Sequence, residues 1–203
     1  MMITAYLWTT PNGYKIPIAL EEMGLEYEIK WVNIGAGEQH QPEFLAISPN
    51  GKIPAIVDHD TGISLMESGA ILQYLAEKSG KFGGTTLQER AEVMQWLHWQ
   101  IGGLGPMTGQ ANHFRGLNEK VPYGEKRYVD ETVRLLRVLN AQLDGRDYIA
   151  GDYSIADMAA APWAATARMF DDERINACAN VIAWIDRNLA RPATARAITL
   201  APA

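Results

Sequence analysis

The stretch TTPNG, residues 9–13, places two hydroxyls and a side-chain amide between an apolar run, Ile3 to Trp8, and an apolar helical face. A strand, a tight turn and a helix start, in that order, leave backbone N–H groups at the positive end of a helix dipole. Such a place holds an anion or a reactive group. The turn carries no Cys, His or acid and no glycine-rich phosphate loop, which leaves open what it holds. A second pair, Glu67-Ser68, sets an acid and a hydroxyl at the start of a later helix. It suits an ammonium and a carboxylate, or it only caps the helix. The single cysteine, Cys178, excludes an internal disulfide, and four scattered histidines offer no metal-ligand spacing, so no metal is expected. Cys178 lies in a helical stretch with no His or resolving Cys nearby and reads as a small buried residue. Asp157, three residues after Ser154 in YSIADM, is close to a capping box with Tyr153 and Met158 at the staple positions. It reads as a structural cap and not as a catalytic acid.

The elements that must position these groups follow from the hydrophobic pattern. ITAYLW, residues 3–8, is a mostly buried strand. Ile16, Ala19, Leu20 and Met23 then form one helical stripe. Pro17 fits a first turn, which places the helix start just after Asn12-Gly13, and Gly24 ends it. Leu25, Tyr27, Ile29 and Trp31 alternate with Glu26, Glu28 and Lys30 in a half-buried strand. PEFLAIS is a short helix ended by PNG, and KIPAIVDHDTGISLM is a pair of antiparallel strands around the turn Asp58–Gly62. ESGAILQYLAEKSG is a helix with Ser68 at its N-cap and Gly80 past its end. The first two strands, joined through a helix, should be parallel with a right-handed crossover, so the sheet is mixed and carries helices on its faces.

KSGKFGGTT, residues 78–86, is Gly-rich, polar and aperiodic, and the domain boundary is placed there. The expected organisation is a first domain over 1–80, a linker over 81–86 and an all-helical domain over 87–203. Helices are expected from about Leu87 to Ile101, interrupted by GGLGP, from Tyr123 to Leu143, from Ser154 and around Asn176 to Leu189. The net charge is −6 with acids and bases interspersed, which argues against a nucleic-acid or anionic membrane surface. No segment approaches the roughly 20 apolar residues of a membrane helix. MMITAYLWTT has no basic region ahead of its short apolar run, so a soluble, cytoplasmic protein is expected.

Three segments taken together, SPNGKIPAIVD, LMESGAILQYLAE and YSIADMAAAPW, resemble the glutathione transferases in order and spacing, over essentially the whole chain. The resemblance implies an α+β two-domain fold: a thioredoxin-like mixed sheet with helices, then an all-α domain. TTPNG and QWLHWQIGGLGPMTGQANHF, residues 95–114, look like the nu-class bacterial transferases, which act as glutathione-dependent disulfide-bond reductases. The globular domain of the yeast nitrogen-regulator prion protein is related to them. Other classes present a Tyr, Ser or Cys near this turn. Here Thr10-Pro11-Asn12-Gly13 matches the nu-class motif, and Tyr6, inside the strand, reads as packing.

The resemblance implies glutathione as cosubstrate, with its sulfur held by the Thr10 hydroxyl and the Asn12 amide. Lowering a thiol pKa from about 8.5 by roughly two units needs about 2.7 kcal/mol. A helix N-terminus supplies about 0.3–2 kcal/mol, and each hydrogen bond to a charged acceptor about 1.5–3 kcal/mol, so no ionisable protein side chain is required. The implied roles continue along the ligand. Ser68 takes the γ-glutamyl carboxylate and Glu67 its ammonium. Ile53, before Pro54 in an implied cis peptide, pairs its backbone with the cysteinyl residue. Lys52 and Gln39 are candidates for the glycyl carboxylate, a task His40 could share, although a solvated Lys and a surface His are ordinary alternatives. Arg127 matches an Arg that contacts glutathione, while its neighbours Arg134 and Arg137 leave a surface salt-bridge role open. Trp96 and Trp99 read as core. Gly102, Gly103 and Gly105 ahead of Pro106 are expected to break the helix and open a second-substrate space near Asn112, His113 and Phe114. The implied function is disulfide-bond reduction by bound glutathione in a cytoplasmic homodimer acting on small disulfides or electrophiles. Conjugation to electrophilic carbon and a non-catalytic binding or regulatory module stay open as alternatives.

Overall fold

A four-stranded mixed sheet in the order β2-β1-β3-β4 forms the base of the N-terminal half of this computed structural model, which describes residues 2–202. β1 (Ile3–Leu7) pairs in parallel with β2 (Tyr27–Trp31) and antiparallel with β3 (Ala55–Asp58), which pairs antiparallel with β4 (Ile63–Met66). The central position of β1 explains its apolar sequence: Ile3, Ala5 and Leu7 are buried. Thr4 is equally buried, and its hydroxyl meets Glu28 and the His59 ring at 2.7 Å each. The hairpin falls on Asp58–Gly62 as its turn residues require, and β1 and β2 are joined through α1 (Pro11–Met23).

The start of α1 differs from the sequence reading. Thr10 is the extended N-cap residue, and its Oγ1 accepts the Gly13 N–H at 3.0 Å. The Thr10 carbonyl accepts from Tyr14. Pro11, not Pro17, is therefore the proline of the first turn, and Pro17 lies inside the helix. The mid-helix proline gives up one backbone bond but is itself buried within the apolar face. Gly24 ends α1 in the left-handed conformation expected of it. A 3₁₀ turn, Glu38–His40, leads into α2 (Pro42–Leu45), and α3 (Ser68–Ser79) packs beside α1. Here too the sequence reading is off by one residue, since Glu67 flanks α3 as its N-cap and Ser68 is already helical.

The second unit, Phe82–Ala190, is helical. A Thr86/Glu89 capping box opens α4 (Leu87–Trp99). The GGLGP segment does not break the chain into a loop. It forms a π-helical turn, Gln100–Leu104, that runs into α5 (Gly105–Gly116). Pro106 lacks an N–H, and widening the turn sends the Gly105 N–H back to the Gln100 carbonyl. A Cβ on Gly105 would sit 2.5 Å from the Gln100 amide nitrogen. That glycine therefore admits a close neighbour and opens no space. The unit continues with α6 (Pro122–Gln142), α7 (Ile155–Arg168), α8 (Glu173–Asn176) and α9 (Ala179–Leu189). Its core gathers Leu104, Leu136, Leu139, Ala160, Val181 and Trp184, with Trp96 inside and Trp99 packed against it, as their spacing predicts.

Asp157 is the polar centre of this core. One carboxylate oxygen accepts from the Ile149 N–H at 3.0 Å and the Trp184 indole at 2.8 Å. The other accepts from the Ser154 N–H at 3.0 Å and the Ser154 hydroxyl at 3.2 Å. The capping box is present, as YSIADM predicts.

The last segment returns to the first unit, which comprises Met1–Lys81 and Arg191–Ala203. The sequence reading grouped these last residues with the helical half. Instead α10 (Pro192–Ala197) packs against α1, with Ala193 and Ala197 buried. Arg191 forks onto the Glu22 carboxylate at 2.7 and 2.8 Å, and Arg196 binds Glu21 at 2.9 Å. No helix among the described residues is long and apolar enough to cross a membrane.

Candidate active site

The turn after β1 is held by a contact that only glycine permits. A Cβ on Gly13 would lie 2.0 Å from the Trp8 carbonyl oxygen, so the first turn of α1 presses directly on the end of the strand. This places Asn12 on a cavity of about 190 Å³ that is also lined by Lys52, Ile53, Pro54, Glu67 and Ser68. Six of the residues singled out in the sequence thus converge from three separate segments. Ser48, Asn50 and Met66 line the cavity as well, and sequence reasoning passed over them. Ser48 was legible in SPNG, because a Ser ahead of Pro-Asn-Gly fastens its own turn. Its hydroxyl donates to the Lys52 carbonyl at 2.8 Å, and its carbonyl accepts the Gly51 N–H at 2.8 Å. The Ile53–Pro54 peptide is cis.

Glu67 has φ 70° and ψ 112°, a left-handed setting that disfavours any side chain. Such a residue stores about 1–3 kcal/mol and is held there by its surroundings, most often at ligand sites. Glu67 and the Ser68 that follows it both line the cavity.

Lys15 is a further residue that sequence reasoning missed. It sits in the second turn of α1, 1% exposed, and its Nζ donates to the Ser68 Oγ at 3.2 Å. Burial pushes the ammonium down to about 7, with the nearby Glu67 charge pulling the other way. A signal was present, since Lys15 lies four residues before Ala19 and so falls on the buried stripe.

Other expected residues stand apart from this cavity. The Thr10 hydroxyl is occupied as an acceptor by the Gly13 N–H, so its own hydrogen points elsewhere. Gln39 lies in the Glu38–His40 turn, where its carbonyl abuts Gly51. Its amide nitrogen is 3.3 Å from the His40 Nε2, and its amide oxygen is buried without a hydrogen-bond partner among the described residues.

Arg127 belongs to the helical unit. There, with Met107, Tyr123, Tyr128, Glu131 and Arg134, it lines a cavity of about 680 Å³. Arg134 takes Glu131 through two contacts of 2.8 and 2.7 Å. Arg127 makes no such ion pair among the described residues, so the surface salt-bridge reading belongs to Arg134. Phe114 stacks on Tyr128 with centroids 5.4 Å apart, over the backbone of Gly124, which assigns it to packing. Cys178 is buried in the helical core, its Sγ 3.5 Å from the Arg174 carbonyl, and burial pushes its thiol up. No cluster of His, Cys, Asp and Glu among the described residues could hold a metal.

The arrangement is thus a helix N-terminus with neutral donors beside a polar cleft, one end of which rests on the buried Lys15 amine. It can hold a small anionic molecule and stabilise an external anion near Asn12, and the turn itself supplies no thiol, imidazole or carboxylate. Similar proteins bear on what that molecule is. Residues 1–77 match the glutathione S-transferase N-terminal domain and residues 112–192 the C-terminal domain. The disulfide-bond oxidoreductase YfcG of Escherichia coli is 50% identical over 97% of this chain and 94% of its own length. A second Escherichia coli protein, the disulfide-bond oxidoreductase YghU, is 43% identical over 78% of this chain and 58% of its own length. A solved glutathione transferase from Pseudomonas putida, with one glutathione disulfide bound per subunit, has a TM-score of 0.93 and 40% identity, covering 98% of this chain and 91% of that one. A family member from Pseudomonas fluorescens with two glutathione bound has a TM-score of 0.92 and 41% identity, covering 97% and 92%. With half of its residues shared along nearly the full length of one such relative and with both domains matched, the chain belongs to the glutathione S-transferase family.

Proposed function

We propose that the protein is a glutathione-dependent disulfide-bond reductase of the nu-class type, in which the sulfur of bound glutathione is the nucleophile. One observation carries this reading. The α1 N-terminus offers Thr10 and Asn12 and no thiol, imidazole or carboxylate, while the single cysteine is buried in the helical core. A reaction at this turn must therefore use a sulfur that the ligand brings. The relatives agree, since solved family members hold two glutathiones or one glutathione disulfide, the reductant and the oxidised product of such a cycle.

In this proposal Asn12 and Thr10 donate to the thiolate. Thr10 is oriented for it, because its oxygen already accepts the Gly13 N–H and its hydrogen is left to donate outward. The backbone of Ile53, beside Pro54, pairs with the cysteinyl unit. Glu67 takes the γ-glutamyl ammonium and Ser68 its carboxylate. Lys52 and Gln39 take the glycyl carboxylate, and Arg127 is carried over from the family motif as a further glutathione contact. The thiolate attacks one sulfur of a small disulfide, forming a mixed disulfide and expelling the other sulfur as a thiolate that takes up a proton. A second glutathione thiolate then attacks the glutathione sulfur of the mixed disulfide, giving glutathione disulfide and the second substrate thiol. No bond to the protein forms at any step. We place the protein in the cytoplasm as a homodimer on the same family reasoning.

The test is steady-state reduction of hydroxyethyl disulfide by glutathione. Cys178→Ala should retain native turnover. Asn12→Ala should lose about 10- to 100-fold in kcat/KM, in keeping with about 1.5–3 kcal/mol for one hydrogen bond to a charged acceptor. Equal loss in the cysteine variant would assign the chemistry to the protein's own thiol. Glutathione binding without turnover would move conjugation or a non-catalytic role to the front.

A further inference from the structure

We propose that Lys15 is a positioning residue of the γ-glutamyl carboxylate subsite, so that an anionic ligand on Ser68 is bound together with a proton held at Lys15. The inference rests on the glutathione reading and adds a buried residue and a proton to it. Geometry carries the argument. Lys15 is enclosed at the level of Ser68, and its Nζ donates to the Ser68 Oγ at 3.2 Å. An ammonium has three hydrogens and no lone pair. While Lys15 is charged, the Ser68 oxygen must accept from it and the Ser68 hydrogen must point elsewhere. Ser68 lines the cavity, so that hydrogen is directed to a ligand carboxylate, and the charge behind it strengthens the donation. A neutral amine has a lone pair, which lets the hydroxyl turn inward and removes the positive charge from under the subsite.

The neighbouring charges leave Lys15 poised between these forms. Glu67, at the start of α3, favours the ammonium, whereas burial opposes it and brings its pKa to about 7. The other charges packed around α1 are committed elsewhere. On α1 itself Glu21 and Glu22 bind Arg196 and Arg191 of the α10 segment. On α3, Lys78 binds Asp58 and Asp60, and Glu77 lies near the far end of the helix. β1 contributes no charge. A carboxylate arriving over Ser68 is thus the added charge that raises the affinity of Lys15 for its proton. The sign follows: affinity is highest where Lys15 is already charged, below about pH 7, and falls as pH rises, since binding must then draw a proton from solvent.

The experiment is calorimetric titration of S-methylglutathione, which has no thiol to release a proton, at pH 6, 7 and 8 in buffers of different ionisation enthalpy. The native protein should show little proton uptake at pH 6, clear uptake at pH 8, and a Kd that rises with pH by at most tenfold per unit. Lys15→Arg keeps the charge without the titration and should bind at both pH values without linked uptake. Lys15→Met should bind about tenfold or more weakly at pH 6, with a Kd that does not change with pH. Uptake that persists in Lys15→Arg overturns the inference. So does native binding that is independent of pH and free of uptake, and since that reading needs no variant, a misfolded substitution cannot obscure it. Disulfide turnover together with such pH-independent binding would refute Lys15 alone. Linked uptake in a protein without turnover would sink the reductase reading and leave Lys15 standing.

Discussion

Asp157→Ala is expected to lose about 3–5 kcal/mol of folding stability at neutral pH, read as a shift of the urea unfolding midpoint. The carboxylate is wholly buried, and the donors around it have no water to turn to. Truncation leaves the Ile149 and Ser154 N–H groups and the Trp184 indole unpaired at about 1–3 kcal/mol each, partly offset by no longer burying the carboxylate. Loss of the cap on α7 adds about 1 kcal/mol. Asp157→Asn should lose less, since its amide oxygen can still serve Ile149 and Trp184 while its NH2 faces the Ser154 N–H. Burial raises this carboxyl from 3.8 to about 6 against the pull of its four donors. The folded chain therefore keeps the proton over a range where the unfolded chain has released it. The resulting stabilisation is full below about pH 4 and is lost as pH rises through about 6. The advantage of the native protein over Asp157→Asn should accordingly narrow between pH 4 and pH 7. A gap that widens over that interval would contradict the assignment.

Gly13→Ala should destabilise the protein by about 3 kcal/mol or more and remove most glutathione binding. At an ordinary helical glycine the same change would stabilise by about 0.5–1 kcal/mol. Here the new methyl would stand 2.0 Å from a backbone carbonyl, and neither partner can rotate away as a side chain tip would. Relief requires the first turn of α1 to lift from β1, carrying Thr10 and Asn12 with it. Gly102→Ala is the matched control. Beyond its own helix backbone and chain neighbours, nothing among the described residues lies within 4 Å of its added Cβ, so it should keep native binding and stability or gain slightly. Paired denaturation curves and glutathione titrations decide the matter, and a Gly13→Ala protein with native affinity would refute this account of the turn.

Much of this was legible from the sequence where a local rule meets a local need. The alternation of Tyr27, Ile29 and Trp31 sets β2, Gly62 sets the hairpin, and Ser154 with Asp157 sets the cap of α7. Family resemblance supplied the set around the cleft, and six of its members do converge there. What escaped depends on partners distant in sequence. Pro17 looked like a helix start because its neighbours could not reveal that Thr10 caps Gly13 first. The glycines after Gln100 looked like a break because nothing local announces a π turn with the Gln100 amide and the Trp163 indole crowding Gly105. Lys15 was passed over because its partner, Ser68, is fifty-three residues away. Glu67 gave no sign of its backbone strain, which the surrounding fold imposes.

The return of α10 to α1 has a consequence for synthesis. A ribosome delivers the sheet, α1 and α3 first, then all of the helical unit, and only afterwards Arg191 and Arg196. Until they emerge, Glu21 and Glu22 lack the arginines they bind in the folded chain, and the face of α1 that α10 covers stays open. The helical unit is thus, in terms of translation, an insertion within the half that carries the cleft. That half is finished last although it is begun first. Cutting the gene at the apparent boundary after Lys81 would separate the cleft from the helix that completes its scaffold.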